Sequence, residues 1–206
     1  MKNNLARLLH QTVREAMDEL KEELEGGELD RMIDETVEET LSELSCAGAE
    51  ANIETRLGRA LLAKKYTIAC AESCTGGLVT SRLTDVPGSS AYVMGSVVSY
   101  TNQIKEKLVG VSHETLAAHG AVSEETAREM AEGIRRVIGT DIGVGITGIA
   151  GPGGGTAEKP VGLVYIAVAG AYGTVVRENH FTGTRKGVKR QTSETALEMA
   201  LAYIQS

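Results

Sequence analysis

The segment Ala71-Glu72-Ser73-Cys74-Thr75-Gly76-Gly77 sets two hydroxyls and a thiol directly ahead of two glycines. It follows the apolar run Tyr66-Thr67-Ile68-Ala69-Cys70, which reads as a strand, and precedes Leu78-Val79-Thr80-Ser81-Arg82-Leu83, which can continue as a helix. A strand-to-helix junction exposes backbone N–H groups at the positive end of a helix dipole. It can hold an anion, or a developing oxyanion beside a nucleophile. The same residues also suit a plain glycine-containing turn with a Ser/Thr cap. Ser73 and Cys74 compete as the nucleophile, because a helix N-terminus also lowers a thiol pKa. Cys70 lies within the apolar run and reads as core.

A proton carrier for that nucleophile has to come from elsewhere. Tyr100-Thr101-Asn102-Gln103-Ile104-Lys105 marks a second strand-to-helix junction. On an open surface Lys105 would be an ordinary solvated ammonium. Beside Ser73 and partly desolvated, it could lose its proton and act as general base to the serine, with Tyr100 orienting the pair or donating to a substrate. A glycine-rich segment, Gly145-Ile146-Thr147-Gly148-Ile149-Ala150-Gly151-Pro152-Gly153-Gly154-Gly155, follows another strand signal. Its backbone can approach a ligand closely and form an anion-binding nest. It lacks the Gly-Lys-Ser/Thr of a Walker loop, and no clear helix follows to make it a dinucleotide fingerprint. Arg177, Arg185, Lys186, Lys189 and Arg190 form a late basic group, and Arg185 sits where Thr182-Gly183-Thr184 leads into the last helix. A guanidinium there could fork onto a phosphate. None of His10, His113, His119 and His180 has metal-ligand spacing to another His or Cys, and His113 and His119 read as cap or loop residues.

These residues need a scaffold, and alternating signals from Ile53 onward supply one. Helices are expected over 53–65, 76–86, 102–109, 123–138 and 184–204. Strands are expected over 66–71, 91–100, 141–147, 161–169 and 174–181, the last more polar and near an edge. Such alternation predicts an α/β three-layer sandwich, a mixed β-sheet between helices.

The first fifty residues differ in composition. They hold 5 Lys/Arg against 14 Asp/Glu, and the rest of the chain holds 16 against 14. Leu5, Leu8, Leu9, Val13, Met17, Leu20 and Leu24 recur at helical spacing, and Leu29, Met32, Ile33, Val37, Leu41 and Leu44 resume the pattern after Gly26-Gly27. The expectation is an acidic α-helical hairpin over 1–52 ahead of a catalytic-type domain over 53–206. Its apolar seam could make the chain a homo-oligomer.

The 206-residue chain has a net charge of −7 and no Trp, so neither a broad phosphate-backbone surface nor base stacking is expected, and no direct nucleic-acid binding. Three cysteines, Cys46, Cys70 and Cys74, make neither a secreted disulfide framework nor a paired zinc site. With no signal-like or bilayer-spanning apolar stretch, the expected setting is the cytoplasm, away from membranes.

Taken together and in order, several motifs resemble the CinA C-terminal domain family. They are Ala71 to Gly77, Pro87-Gly88-Ser89-Ser90, Ser99-Tyr100-Thr101-Asn102 with Lys105, His119-Gly120-Ala121-Val122-Ser123, Thr147 to Gly154, Lys159-Pro160-Val161-Gly162 and the Arg185/Arg190 region. The resemblance runs from about residue 53 to the C-terminus and leaves the acidic hairpin outside. It implies hydrolysis of the carboxamide of nicotinamide mononucleotide to nicotinic acid mononucleotide and ammonia, in pyridine-nucleotide salvage, with no metal or organic cofactor. Under it Ser73 is the nucleophile, Lys105 the base and Tyr100 the group that positions the carboxamide. Backbone N–H groups of Cys74, Thr75 and Gly76 are oxyanion donors, Thr147, Gly148 and Gly151 hold ribose or phosphate, and Arg185 neutralises phosphate. The competing reading of the same motifs is a non-catalytic nucleotide- or phosphate-binding or protein-interaction module.

Overall fold

The computed structural model describes residues 51–206, so the acidic hairpin expected over the first 52 residues lies outside the described part except for its last two positions. The elements run α1 (Ile53–Lys64), β1 (Ile68–Glu72), α2 (Leu78–Thr84), a 3-10 turn (Ser89–Ala91), β2 (Val93–Val98), α3 (Asn102–Val109), α4 (His113–His119), α5 (Glu124–Ile138), β3 (Ile142–Gly148), β4 (Leu163–Gly170), β5 (Gly173–His180) and α6 (Arg185–Gln205). The five strands form one mixed sheet in the order β2-β1-β3-β4-β5. β1 is parallel to both β2 and β3, and β4 and β5 add antiparallel.

Helices cover both faces. α1, α2 and α6 pack together on one side, and α5 crosses the other with α3 and α4 against it. Strand periodicity assigns the side chains. Ile68 and Cys70 of β1 join the core beneath α1 and α6, and their neighbours Ala69 and Ala71 join Val109, Met130 and Ile134 on the α5 side. A strand buried on both faces reads as a continuous apolar run, which is why β1 shows no polar alternation. α5 sits close to β3 because that strand offers no side chain there. A Cβ at Gly145 would lie 2.4 Å from the Ala127 carbonyl oxygen and 2.5 Å from the Ala131 nitrogen.

The α/β class and the mixed sheet agree with the sequence reading, and β5 is an edge strand as expected. Two details differ. His113 and His119, read as cap or loop residues, are the first and last residues of α4, a seven-residue helix capped by Ser112. With Leu116 its one buried residue, α4 carries no apolar stripe to announce it. β2 stops at Val98 rather than running to Tyr100, and the chain turns there toward α3, capped by Thr101.

Topology already singles out one place. The chain leaves β1 for β2 on one side and later returns as β3 on the other, so the strand order reverses at β1. In open α/β sheets a crevice opens beyond the carboxyl ends of the strands at such a point. Glu72, the last residue of β1, stands in register with Val98 and Ile146. The next residues along, Ser73, Ser99 and Thr147, therefore emerge together.

Candidate active site

Lys105 reaches this crevice from the first turn of α3. Its Nζ lies 3.0 Å from Ser73 Oγ and donates to the Ser99 carbonyl oxygen at 2.6 Å. The side chain is 1% exposed, the ammonium of a residue type that rarely buries at all. Burial disfavours the charged amine and lowers its pKa from 10.5 to about 8. Ser99 fixes one N–H direction, so in the neutral amine the lone pair remains for the serine hydroxyl.

Cys74 is the rival nucleophile. Burial pushes its thiol up to about 12, against smaller lowering contributions from Lys105 and Arg185. It is therefore a protonated thiol at neutral pH, not the thiolate that the junction suggested. Burial also pushes the Cys70 thiol up, and Cys70 belongs to the core.

Ser73 and Lys105 open onto a cavity of about 260 Å³. Of the residues singled out from sequence, Ser73, Cys74, Tyr100, Lys105, Thr147, Gly148, Gly151 and Arg185 line it. Arg185, the first residue of α6, spans the mouth, with Nη1 donating to the Gly151 carbonyl at 2.8 Å and Nη2 to the Tyr100 hydroxyl at 3.1 Å. Tyr100 itself is 61% exposed, a rim residue rather than a buried one. Thr147 donates its hydroxyl to the Ala121 carbonyl at 2.6 Å, so its proton holds the cavity wall.

Residues 50–204 match the CinA C-terminal domain model. The chain belongs to that family. Among relatives, it is 47% identical over 169 residues to a competence-damage inducible protein of Moorella thermoacetica, covering 82% of this chain and 41% of that protein. It is 46% identical over 162 residues to a CinA-like protein of Geobacter sulfurreducens, covering 79% and 39%. The chain thus spans about two fifths of the length of the curated relatives it matches. Solved structures match more fully. The competence/damage inducible protein CihA of Agrobacterium tumefaciens superposes with a TM-score of 0.70 at 41% identity, over 76% of this chain and 98% of that one. A CinA superfamily protein of Klebsiella pneumoniae gives 0.72 at 34% identity, over 74% and 96%. The resemblance drawn from the ordered motifs is therefore correct at the level of the family.

Within this CinA domain, three expected features take a different form. Thr75 is fully buried and Gly76 lies off the cavity wall, beside Lys189. The Gly76 amide is spent on the Ser73 carbonyl at 3.1 Å, which leaves Cys74 and Thr75 as the junction amides that donate to no backbone carbonyl among the described residues. The start of α2 is not an open anion site either, because Glu72 occupies it. That carboxylate, fully buried, accepts from the amides of Gly77 (2.9 Å), Val79 (3.2 Å) and Thr80 (2.9 Å) and from the Thr80 hydroxyl (2.7 Å).

Glu72 is a residue the sequence reading passed over, and its position next to Ser73 makes it the anchor of the turn that carries that serine. Glu72→Gln keeps the shape but sets an NH₂ against backbone donors. A buried donor left unsatisfied costs about 1–3 kcal/mol, so a stability loss of that size is expected in the urea midpoint. Unchanged stability would show that the carboxylate does not hold the turn. The apolar wall residues Ala121, Val122, Ile149 and Ala150 were also missed as lining groups. All four lie inside motifs quoted from the sequence, but small aliphatic side chains carry no chemical signature and received no role there.

Among the described residues, no helix is long and apolar enough to cross a membrane.

Proposed function

We propose that this chain is an amidohydrolase that converts nicotinamide mononucleotide and water into nicotinic acid mononucleotide and ammonia, and so serves pyridine-nucleotide salvage. The observation that carries the reading is the buried amine of Lys105, with its pKa lowered to about 8 and its Nζ 3.0 Å from Ser73 Oγ on a cavity wall. A carboxamide is a poor electrophile with a poor leaving group. It needs a nucleophile, a proton shuttle and a place for the oxyanion.

Ser73 Oγ attacks the carboxamide carbon while Lys105 Nζ takes the hydroxyl proton. The oxyanion forms near the amides of Cys74 and Thr75. The tetrahedral adduct collapses, the C–N bond breaks, and Lys105 returns the proton to the departing nitrogen, which leaves as ammonia. A water then attacks the Ser73 ester, gives its proton to Lys105, and the C–O bond to Ser73 breaks with that proton restored to Oγ. The aliphatic wall of Ala121, Val122, Ile149 and Ala150 suits a planar ring. Arg185 pairs with no carboxylate among the described residues, so its charge is available to a phosphate at the mouth. Tyr100 positions the substrate at the rim.

Ammonia release by the purified chain, measured with nicotinamide mononucleotide and with free nicotinamide, tests the reading. Turnover of the nucleotide far above that of the base is expected, because the phosphate contributes binding at Arg185. Nucleotide binding without ammonia release would instead make this a binding module, and preference for free nicotinamide would make it a different amidase.

A further inference from the structure

Lys159 belongs to a motif that the proposed chemistry does not use, Lys159-Pro160-Val161-Gly162, yet it makes the tightest contacts of the glycine-rich loop. That loop leaves β3 and closes at its base through Ile149 N to the Leu163 carbonyl (2.9 Å) and Gly162 N to the Ile149 carbonyl (2.7 Å). Between these points residues 152–158 are all exposed. A stretch with four glycines at 151 and 153–155 has a large conformational entropy to lose on ordering. Few contacts oppose it. Arg185 holds Gly151 at one end. At the other, Thr156 and Lys159 close a small turn through Thr156 N to the Lys159 carbonyl (2.9 Å) and Lys159 N to Thr156 Oγ1 (3.0 Å).

The Lys159 side chain then leaves the loop altogether. Its Nζ donates to the carbonyls of His119 at 2.6 Å and Val122 at 2.7 Å, on the connection between α4 and α5. That connection supplies Ala121 and Val122 to the cavity, and the loop supplies Gly151, Gly153 and Gly154. A Cβ on Gly120 would come 3.4 Å from Nζ, so the approach is close and glycine gives it room. No carboxylate among the described residues pairs with this ammonium within salt-bridge distance. Its hydrogen bonds to two carbonyls are what orders it.

We infer that Lys159 is a positioning residue that fastens the glycine-rich loop to the α4–α5 connection and thereby sets the width of the substrate cavity. It touches neither Ser73 nor Lys105, which stand on the β1 turn and on α3. Its effect is on how well the cavity grips a ligand, not on the proton transfer. Where it concerns turnover, this rests on the amidohydrolase reading; the latch itself does not.

The test uses the full chain and two readouts. Hydrogen exchange is measured first, without ligand, on the wild type, Lys159→Met and Lys159→Arg. Lys159→Met is expected to speed amide exchange about tenfold or more in both 119–123 and 151–162, with 68–72 unchanged, and Lys159→Arg to restore part of the protection because it keeps a charged donor. Unchanged exchange in either segment overturns the latch, and so does a uniform rise across the sheet, which would mean general destabilisation. In the second readout, Lys159→Met raises KM for nicotinamide mononucleotide about tenfold while kcat stays within about threefold. A fall in kcat at constant KM would overturn the assignment to positioning. If no variant and no wild type releases ammonia but the exchange pattern appears as stated, the latch stands and the substrate reading falls.

Discussion

Ser73→Ala is expected to lower kcat for ammonia release from nicotinamide mononucleotide by about 10³-fold or more, with the fold intact by circular dichroism. The alanine removes the proposed attacking oxygen and little else, since among the described residues Ser73 Oγ hydrogen-bonds only Lys105 Nζ. Lys105→Met should cost a similar factor, because the serine hydroxyl then has no base within reach. The double variant should be little worse than either single one, because groups that act as a unit do not contribute additively. Cys74→Ala provides the contrast. A thiol held protonated by burial, with its pKa up at about 12, is a poor nucleophile at neutral pH. Its removal changes one wall of the cavity and should cost about tenfold at most. Near-normal turnover in Ser73→Ala together with loss in Cys74→Ala would reverse the assignment and make the cysteine the nucleophile.

The chemistry was legible in the sequence where it sits at element junctions. Ser73 follows β1 and Tyr100 and Lys105 follow β2, and the residue types there offered Ser73 or Cys74 as candidate nucleophile and Lys105 as candidate base before any geometry was known. What one sequence could not say is that the two strands are parallel neighbours. Only that pairing brings positions 73 and 105 together across 32 residues. Ser99 shows the same limit. It acts through its backbone carbonyl, a group every residue carries, so its type gives no signal.

Adjacency along the chain misled in two places. Gly76 stands close to Ser73 in sequence, but its amide is spent on the Ser73 carbonyl and the turn carries it away from the cavity. Glu72 misled in the opposite sense. The strand expected over 66–71 stops one residue short of it and gives it no role, and the Glu72 side chain folds back to cap α2. The anion site foreseen at that helix start is thus filled from within. Lys159 carried a motif but no role, because its partners are carbonyls about forty residues away.

The pH dependence follows from the same buried amine and carries two linked expectations. Lys105 has a pKa of about 8 in the folded protein and an ordinary value of 10.5 when the chain is unfolded. As a general base it must be neutral. kcat/KM should therefore rise about tenfold per pH unit below the midpoint and level off above about pH 8. Stability should rise over a related window. Below about pH 8 the amine is protonated in both states, and the cost of burying its charge is fully present. Between about 8 and 10.5 the unfolded chain binds a proton that the folded one does not, and folding becomes more favourable as pH increases. From pH 7 to 9.5 this contributes on the order of 2 kcal/mol. Tyr92 and Tyr165, whose pKa values are raised in the folded protein, begin to ionise first in the unfolded chain toward the top of this window and so oppose the gain. The measurement is therefore a difference, the change in urea midpoint between the two pH values for the wild type against Lys105→Met. The wild type should gain stability relative to the variant, because methionine has no proton to shed. A kcat/KM profile that stays flat from pH 6 to 8, or equal gains in the two proteins, would overturn the assignment of Lys105 as a base that titrates near pH 8.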